Sequence, residues 1–151
     1  MRQVARIRSG FTLVELVVVV MILGIITAIA LPRVLGAANA ATDNGLRQTL
    51  DVVRTAIQRY TADHEGKYPG AGGTEAEFID DIEEYLRGGK LPVCPVGPAE
   101  NNGVHMFPGG SISGAISATT ATKGWLYDYS TGEFYINSAE VSDDGTTYDQ
   151  F

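Results

Sequence analysis

Between Phe11 and Leu31 the chain reads FTLVELVVVVMILGIITAIAL, an apolar run of 21 residues whose only charge is Glu15. A helix of that length rises roughly 30 Å, about the thickness of a bilayer's hydrocarbon core. The run therefore divides the 151 residues into a membrane-compatible appendage and enough chain for one modest domain. Arg2, Arg6 and Arg8 all precede it, and the residues after Gly10 include 8 basic against 18 acidic side chains, a formal −10. Basic residues on the N-terminal flank place the first ten residues in the cytoplasm and everything after Leu31 on the far side, with Arg33 weakening that bias without reversing it. A portion so acidic is a poor ligand for nucleic acid. Cys94 is the single cysteine, so no intrachain disulfide closes the exported part, and packing, assembly or a metal must stabilise it.

Three readings of the run compete. A secretory signal peptide would be cut near Ala38-Asn39-Ala40, but its apolar region ordinarily spans about 7–15 residues. An uncut signal anchor is the second. Both leave the intramembrane carboxylate of Glu15 without a purpose. The third rests on Arg8-Ser9-Gly10-Phe11-Thr12-Leu13-Val14-Glu15-Leu16. This stretch resembles the cleavage and methylation motif of type IV prepilins: a short basic leader ending in Gly, then Phe, Thr, Leu and a Glu at the fifth position of the mature chain.

The resemblance implies that a prepilin peptidase cuts between Gly10 and Phe11 and methylates the new amine of Phe11. The chain is then a substrate and a building block, and not an enzyme. Physical reasons accompany each position. Glycine before the cut lets the scissile backbone enter a confined site, and Phe11 becomes an apolar N-terminal anchor. Glu15 lies about 6 Å along the helix, near the interface where its desolvation is tolerable. Buried among neighbouring helices it would require a cation, for which the Phe11 amine of an adjacent subunit is the natural candidate. Breaking such a pair from one side costs on the order of 3–5 kcal/mol, while the intact pair adds little net stability, so Glu15 is expected to set register.

Beyond Leu31 the helical pattern continues. Pro32 removes a backbone donor and is expected to kink or locally melt the helix. Leu46, Leu50, Val53, Ile57 and Tyr60 recur at spacings of four, three, four and three, predicting an amphipathic helix that ends near Asp63 or His64. Unbroken from Phe11, it would hold about 50 residues over about 80 Å. The expected organisation is a leader over 1–10, a transmembrane and filament-core helix over 11–31, an amphipathic continuation over 32–64, and an α+β region over 65–151.

Within that last region, His64 to Gly70 ends the long helix. A second helix starts with Thr74 as N-cap and Glu77 three residues on, a capping-box spacing. Phe78, Ile82, Tyr85 and Leu86 form its apolar face; Asp80, Asp81, Glu83 and Glu84 read as a solvated face. Leu91 to Pro98 has three prolines and should run extended; Cys94 within it reads as a small packed residue. A short strand is predicted over Val104 to Phe107 and loop over Pro108 to Lys123. Trp125 to Tyr129 and Glu133 to Asn137 then flank Ser130-Thr131-Gly132 as an aromatic hairpin. The fold class is α+β, a long N-terminal helix packed on a small antiparallel sheet, an order that also resembles pilins.

The tail from Glu140 to Asp149 concentrates Asp143, Asp144 and Asp149 around Gly145. Several oxygens for calcium are available there, and major pseudopilins of type II secretion are similar in placing calcium near a C-terminal loop; a solvated acidic turn is the competing reading. His64 and His105 are isolated, and neither a nucleophile elbow nor a phosphate loop is present, so an enzyme is disfavoured. The resemblance implies a subunit of a pilus-like filament, first a type II secretion pseudopilin, otherwise a type IV pilus subunit for adhesion, motility or DNA uptake. Many pilus subunits close their C-terminal region with a disulfide, which one cysteine forbids here. Its partners would be the peptidase, identical and homologous subunits, the inner-membrane assembly platform and the membrane itself. From another class, an exported binding protein would use the aromatic sheet as its ligand surface.

Overall fold

The computed structural model describes residues 10–97, 99–109 and 122–151. The leader arginines, Pro98 and most of the predicted 108–123 loop lie outside them. The described residues form two compact units, one ending at Ala38 and one running Asn39–Phe151, and the first helix contributes to both. That helix, α1, spans Leu13–Asp63, 51 residues, and is assigned without interruption through Pro32. The expected melting at Pro32 does not occur: a proline forfeits one hydrogen bond, and the surrounding good helix formers carry the turn across it.

The first unit is an apolar helix. From Phe11 to Leu35 its large side chains are all exposed, Val18 least at 43%. A continuous surface of this kind is stable only against lipid or other apolar helices. Length and composition qualify the helix to cross a membrane.

The second unit is organised by the stripe foreseen on α1. Leu46, Leu50, Val53 and Ile57 are at most 2% exposed, and Ala56 joins them. Onto this stripe packs α2, Glu75–Ile82, continued by a 3-10 turn over Glu83–Tyr85. Thr74 caps α2 by accepting from the Glu77 amide. Phe78 and Ile82 carry its apolar face inward and are fully buried.

The sheet has three strands in the order β1 (Val104–Phe107), β2 (Trp125–Asp128) and β3 (Glu133–Ile136). β2 and β3 form the predicted hairpin, with Tyr127 opposite Phe134 and Trp125 opposite Ile136. β1 runs parallel to β2, so the sheet is mixed where an antiparallel one was expected. The long connection between Phe107 and Trp125 permits this, since parallel neighbours require a crossover that a tight turn cannot supply.

Trp125, Tyr127 and Phe134 are fully buried, and Phe78 lies 4.3 Å from the Tyr127 ring. These rings are core, which removes the ligand platform that the binding-protein alternative needed. Gly132 (φ 76) turns the hairpin, and a Cβ there would meet Tyr68 Cε1 at 2.4 Å. Cys94 is fully buried with its thiol donating to the Val96 carbonyl, and burial pushes the thiol's pKa up, as befits a packed residue.

One core atom is badly placed. The Tyr127 hydroxyl is buried without a hydrogen-bond partner among the described residues. Leaving such a group unpaired costs about 1–3 kcal/mol. Tyr127→Phe is therefore expected to stabilise the protein by about 1 kcal/mol, read as a higher midpoint in thermal unfolding of the detergent-solubilised chain; a drop would show that the hydroxyl has a partner in solution.

Candidate filament-assembly site

Gly10, Phe11 and Thr12 precede the first helical turn, and Gly10 and Phe11 are exposed, with open space where a Gly10 side chain would lie. The Gly10–Phe11 bond is thus non-helical and accessible, the condition a protease requires of its substrate. Thr12 is the N-cap of α1. Its Oγ1 accepts from the Glu15 amide at 3.2 Å, while its amide and hydroxyl both donate to Glu15 Oε2, at 2.9 and 2.7 Å. This is a reciprocal capping box, in which the cap and the third helical residue satisfy one another's backbone donors. It also uses the favourable position of an acid at a helix N-terminus.

The Thr-x-x-Glu spacing is present in the sequence, but a reading of Glu15 purely as an intermolecular partner misses its local role. The two roles are compatible. Both Thr12 donors fall on Oε2, and Oε1 makes no hydrogen bond among the described residues. The carboxylate is held in one orientation with one oxygen open.

A second cluster joins the tail to α1. Besides Asn39, three charged α1 residues, Asp43, Arg47 and Arg54, engage it. Asp43 is buried, 7% exposed, and accepts from the Tyr148 hydroxyl at 2.7 Å and the Asp143 amide at 3.2 Å. Arg47 pairs with Asp144 at 2.6 Å and lies 3.8 Å over the Phe151 ring. Arg54 donates to the carbonyls of Phe134, at 2.8 and 3.1 Å, and of Phe151, at 2.9 Å. Burial and the Asp43 hydrogen bond push Tyr148 up to about 12. Sequence reasoning misses all three because a charged side chain reads as solvated until the tail is laid against it: Arg47 and Arg54 flank the apolar stripe, and Asp43, seven residues before Leu50, lies on its extension.

The tail itself is a miniature hairpin. Val141 bridges Thr147, the Ser142 amide donates to the Thr146 carbonyl, and Gly145 (φ 86) supplies the left-handed turn. Asp144 is its centre. Oδ1 accepts from the Ser142 hydroxyl at 2.5 Å and the Thr146 amide at 2.8 Å. The Ser142 bond first, then the Thr146 bonds and Arg47, hold the carboxyl at about 2.

Asp143, Asp144 and Asp149 are not gathered into one site, and no group of three acidic, His or Cys ligands is assembled among the described residues. The Asp144 carboxylate already faces a cation, the Arg47 guanidinium. Asp143 accepts from the Asn39 amide, and Asp149 leaves a buried Oδ1 unpaired among the described residues. The acidic turn is organised by an internal ion pair.

Comparison with known proteins bears on the N-terminus and the domain separately. A family model described as the prokaryotic N-terminal methylation motif matches residues 5–31, which include Gly10, Phe11 and Glu15. The competence protein ComGC of Halalkalibacterium halodurans is 34% identical over 84 residues, covering 56% of this chain and 82% of that protein. The ComG operon protein 3 homolog of Bacillus licheniformis is 32% identical over 91 residues, covering 60% and 86%. The chain belongs to the type IV prepilin-like family. The type II secretion system core protein G of Vibrio cholerae, 30% identical over 109 residues, is a further relative of this prepilin-like chain, covering 69% of it and 74% of that protein. No solved structure gives a significant match.

For this prepilin-like subunit the tail cluster generates a pH prediction. A folded-state pKa below the unfolded value of Asp means stability that is present above about pH 4 and lost as pH falls toward about 2. Asp144→Asn should lower the melting temperature at neutral pH and flatten its decline across that window. Melts of the unaltered protein with calcium and with chelator should coincide; a calcium-dependent rise would show that the tail rearranges around the ion.

Proposed function

We propose that the chain is a structural, non-enzymatic subunit of a pilus-like filament, cut after Gly10 by a prepilin peptidase, methylated on Phe11 and polymerised through its N-terminal helix. The observation that carries this reading is the exposed Gly10–Phe11 bond followed at once by the Thr12–Glu15 capping box and an apolar helix whose large side chains stand exposed. Before assembly, the apolar segment over 11–31 sits in the inner membrane, with the leader cytoplasmic and the domain on the far side. In the filament it packs against its copies. The fixed Glu15 carboxylate then offers its open oxygen to the Phe11 amine of a neighbour, a contact that selects register because an unpaired charge there costs several kcal/mol. An inner-membrane assembly platform would extract the subunit.

Among filament types, we infer a type II secretion pseudopilus. Similarity to a secretion-system protein extends over 109 residues, against 84 to 91 for the competence proteins, and so reaches further into the exported domain. The higher identity to the competence protein ComGC supports the second reading, a type IV pilus subunit used in DNA uptake. In either case the acidic exported portion argues against direct nucleic-acid binding by this subunit.

The test is the N-terminal sequence and mass of the protein recovered from membranes. The expected product begins at Phe11 with one added methyl; a chain beginning near Ala41, or an intact Met1, would overturn the reading. Glu15→Ala should still be cut yet yield few or no filaments, and filaments at the unaltered level would remove the register role.

A further inference from the structure

The exported domain has few cations, and several are consumed internally: Arg47 by Asp144, Arg54 by two carbonyls, Lys123 by Glu75. Three others, Arg59, Arg87 and Lys90, are exposed and enter no ion pair among the described residues. They lie together. Two hollows of about 260 and 320 Å³ share Val52 and Arg87 and so form one groove between α1 and the segment after α2. Leu86 and Pro92 line its apolar side, Lys90 and Arg59 its two ends; Asp51 lies at its edge, and the lining Tyr85 donates its hydroxyl to Asp63. Val52 is 47% exposed there, an apolar side chain left in solvent beside three unpaired cations.

The same domain carries the complement. Asp80, Glu83 and Glu84 are exposed on the outer side of α2 and its 3-10 turn, three and four residues apart, and their carboxylates make no hydrogen bond or ion pair among the described residues. Asp81 differs, being turned inward to accept from the Gly70 amide.

We propose that the Arg59–Arg87–Lys90 groove seats the Asp80–Glu83–Glu84 ridge of a second copy of this chain. The inference rests on the filament reading and names one of its contacts. Groove and ridge are made of different residues of one molecule, so the contact is head-to-tail and leaves each end of a growing assembly with one unused set, the condition for an open filament. Opposite potentials fix register and exclude like-charged juxtapositions, while Val52 supplies the apolar contact that the cations frame. A nucleic acid is the poorer occupant because the residues after Gly10 carry a formal −10.

The experiment expresses the full chain with its peptidase and assembly machinery and measures sheared filaments, alongside processing and protein level. Arg87→Glu with Lys90→Glu should be processed normally and lower filament yield about tenfold or more, as should Asp80→Lys with Glu83→Lys and Glu84→Lys. Combining the two sets in one chain should restore filaments. If the basic-side reversal assembles at the unaltered level, or the combined chain is not rescued, the proposal is overturned while the filament reading stands. Absence of filaments from the unaltered chain would instead sink the filament reading. Should the reversals be degraded, Arg87→Gln with Lys90→Gln carries the same test: reduced filaments with weaker salt sensitivity support the contact, and unchanged yield and salt response overturn it.

Discussion

The hydrophobic core of the second unit is assembled on one stripe of α1. Leu46, Leu50, Val53 and Ile57 are removed from water almost completely, and α2, the extended segment around Cys94 and the aromatic face of the sheet all meet them in a single core. Four side chains of this kind contribute about 1.5–3 kcal/mol each when fully buried, so the stripe's share is comparable with the whole marginal stability of a domain this size. The chain has no disulfide to fall back on.

What the stripe does for the sheet, the opposite chemistry does for the tail. Asp43, Arg47 and Arg54 hold residues 143 to 151 through a tyrosine hydroxyl, a carboxylate and the Phe151 carbonyl. The single helix thereby anchors an apolar core and a polar tail at once. A guanidinium placed against Asp144 provides positive charge from within the chain, where a bound cation would otherwise be the usual means of ordering an acidic turn.

The N-terminal segment obeys a different constraint. Its apolar side chains stand exposed, and its one carboxylate is held by the residue three before it. Local geometry is complete without a neighbour, which suits a group that must pass from membrane to filament without being rebuilt. The domain, by contrast, keeps exposed charge of both signs outside any ion pair among the described residues.

From the residues alone, the elements with strong local signals were legible. The apolar run, the stripe ending near Tyr60, the Thr74 cap, the strand at Val104 to Phe107 and the hairpin around Gly132 all appear where periodicity, capping and turn chemistry put them, because each depends on residues a few positions apart. The features decided only by tertiary structure join distant residues: the parallel pairing of β1 with β2, the turning of Arg47 and Arg54 onto the tail, and the burial of Asp43 beneath Tyr148. A carboxylate or guanidinium looks the same in a sequence whether it faces water or a partner a hundred residues away. Only the folded chain, by fixing which surfaces exclude water, determines which of those charges must be paired.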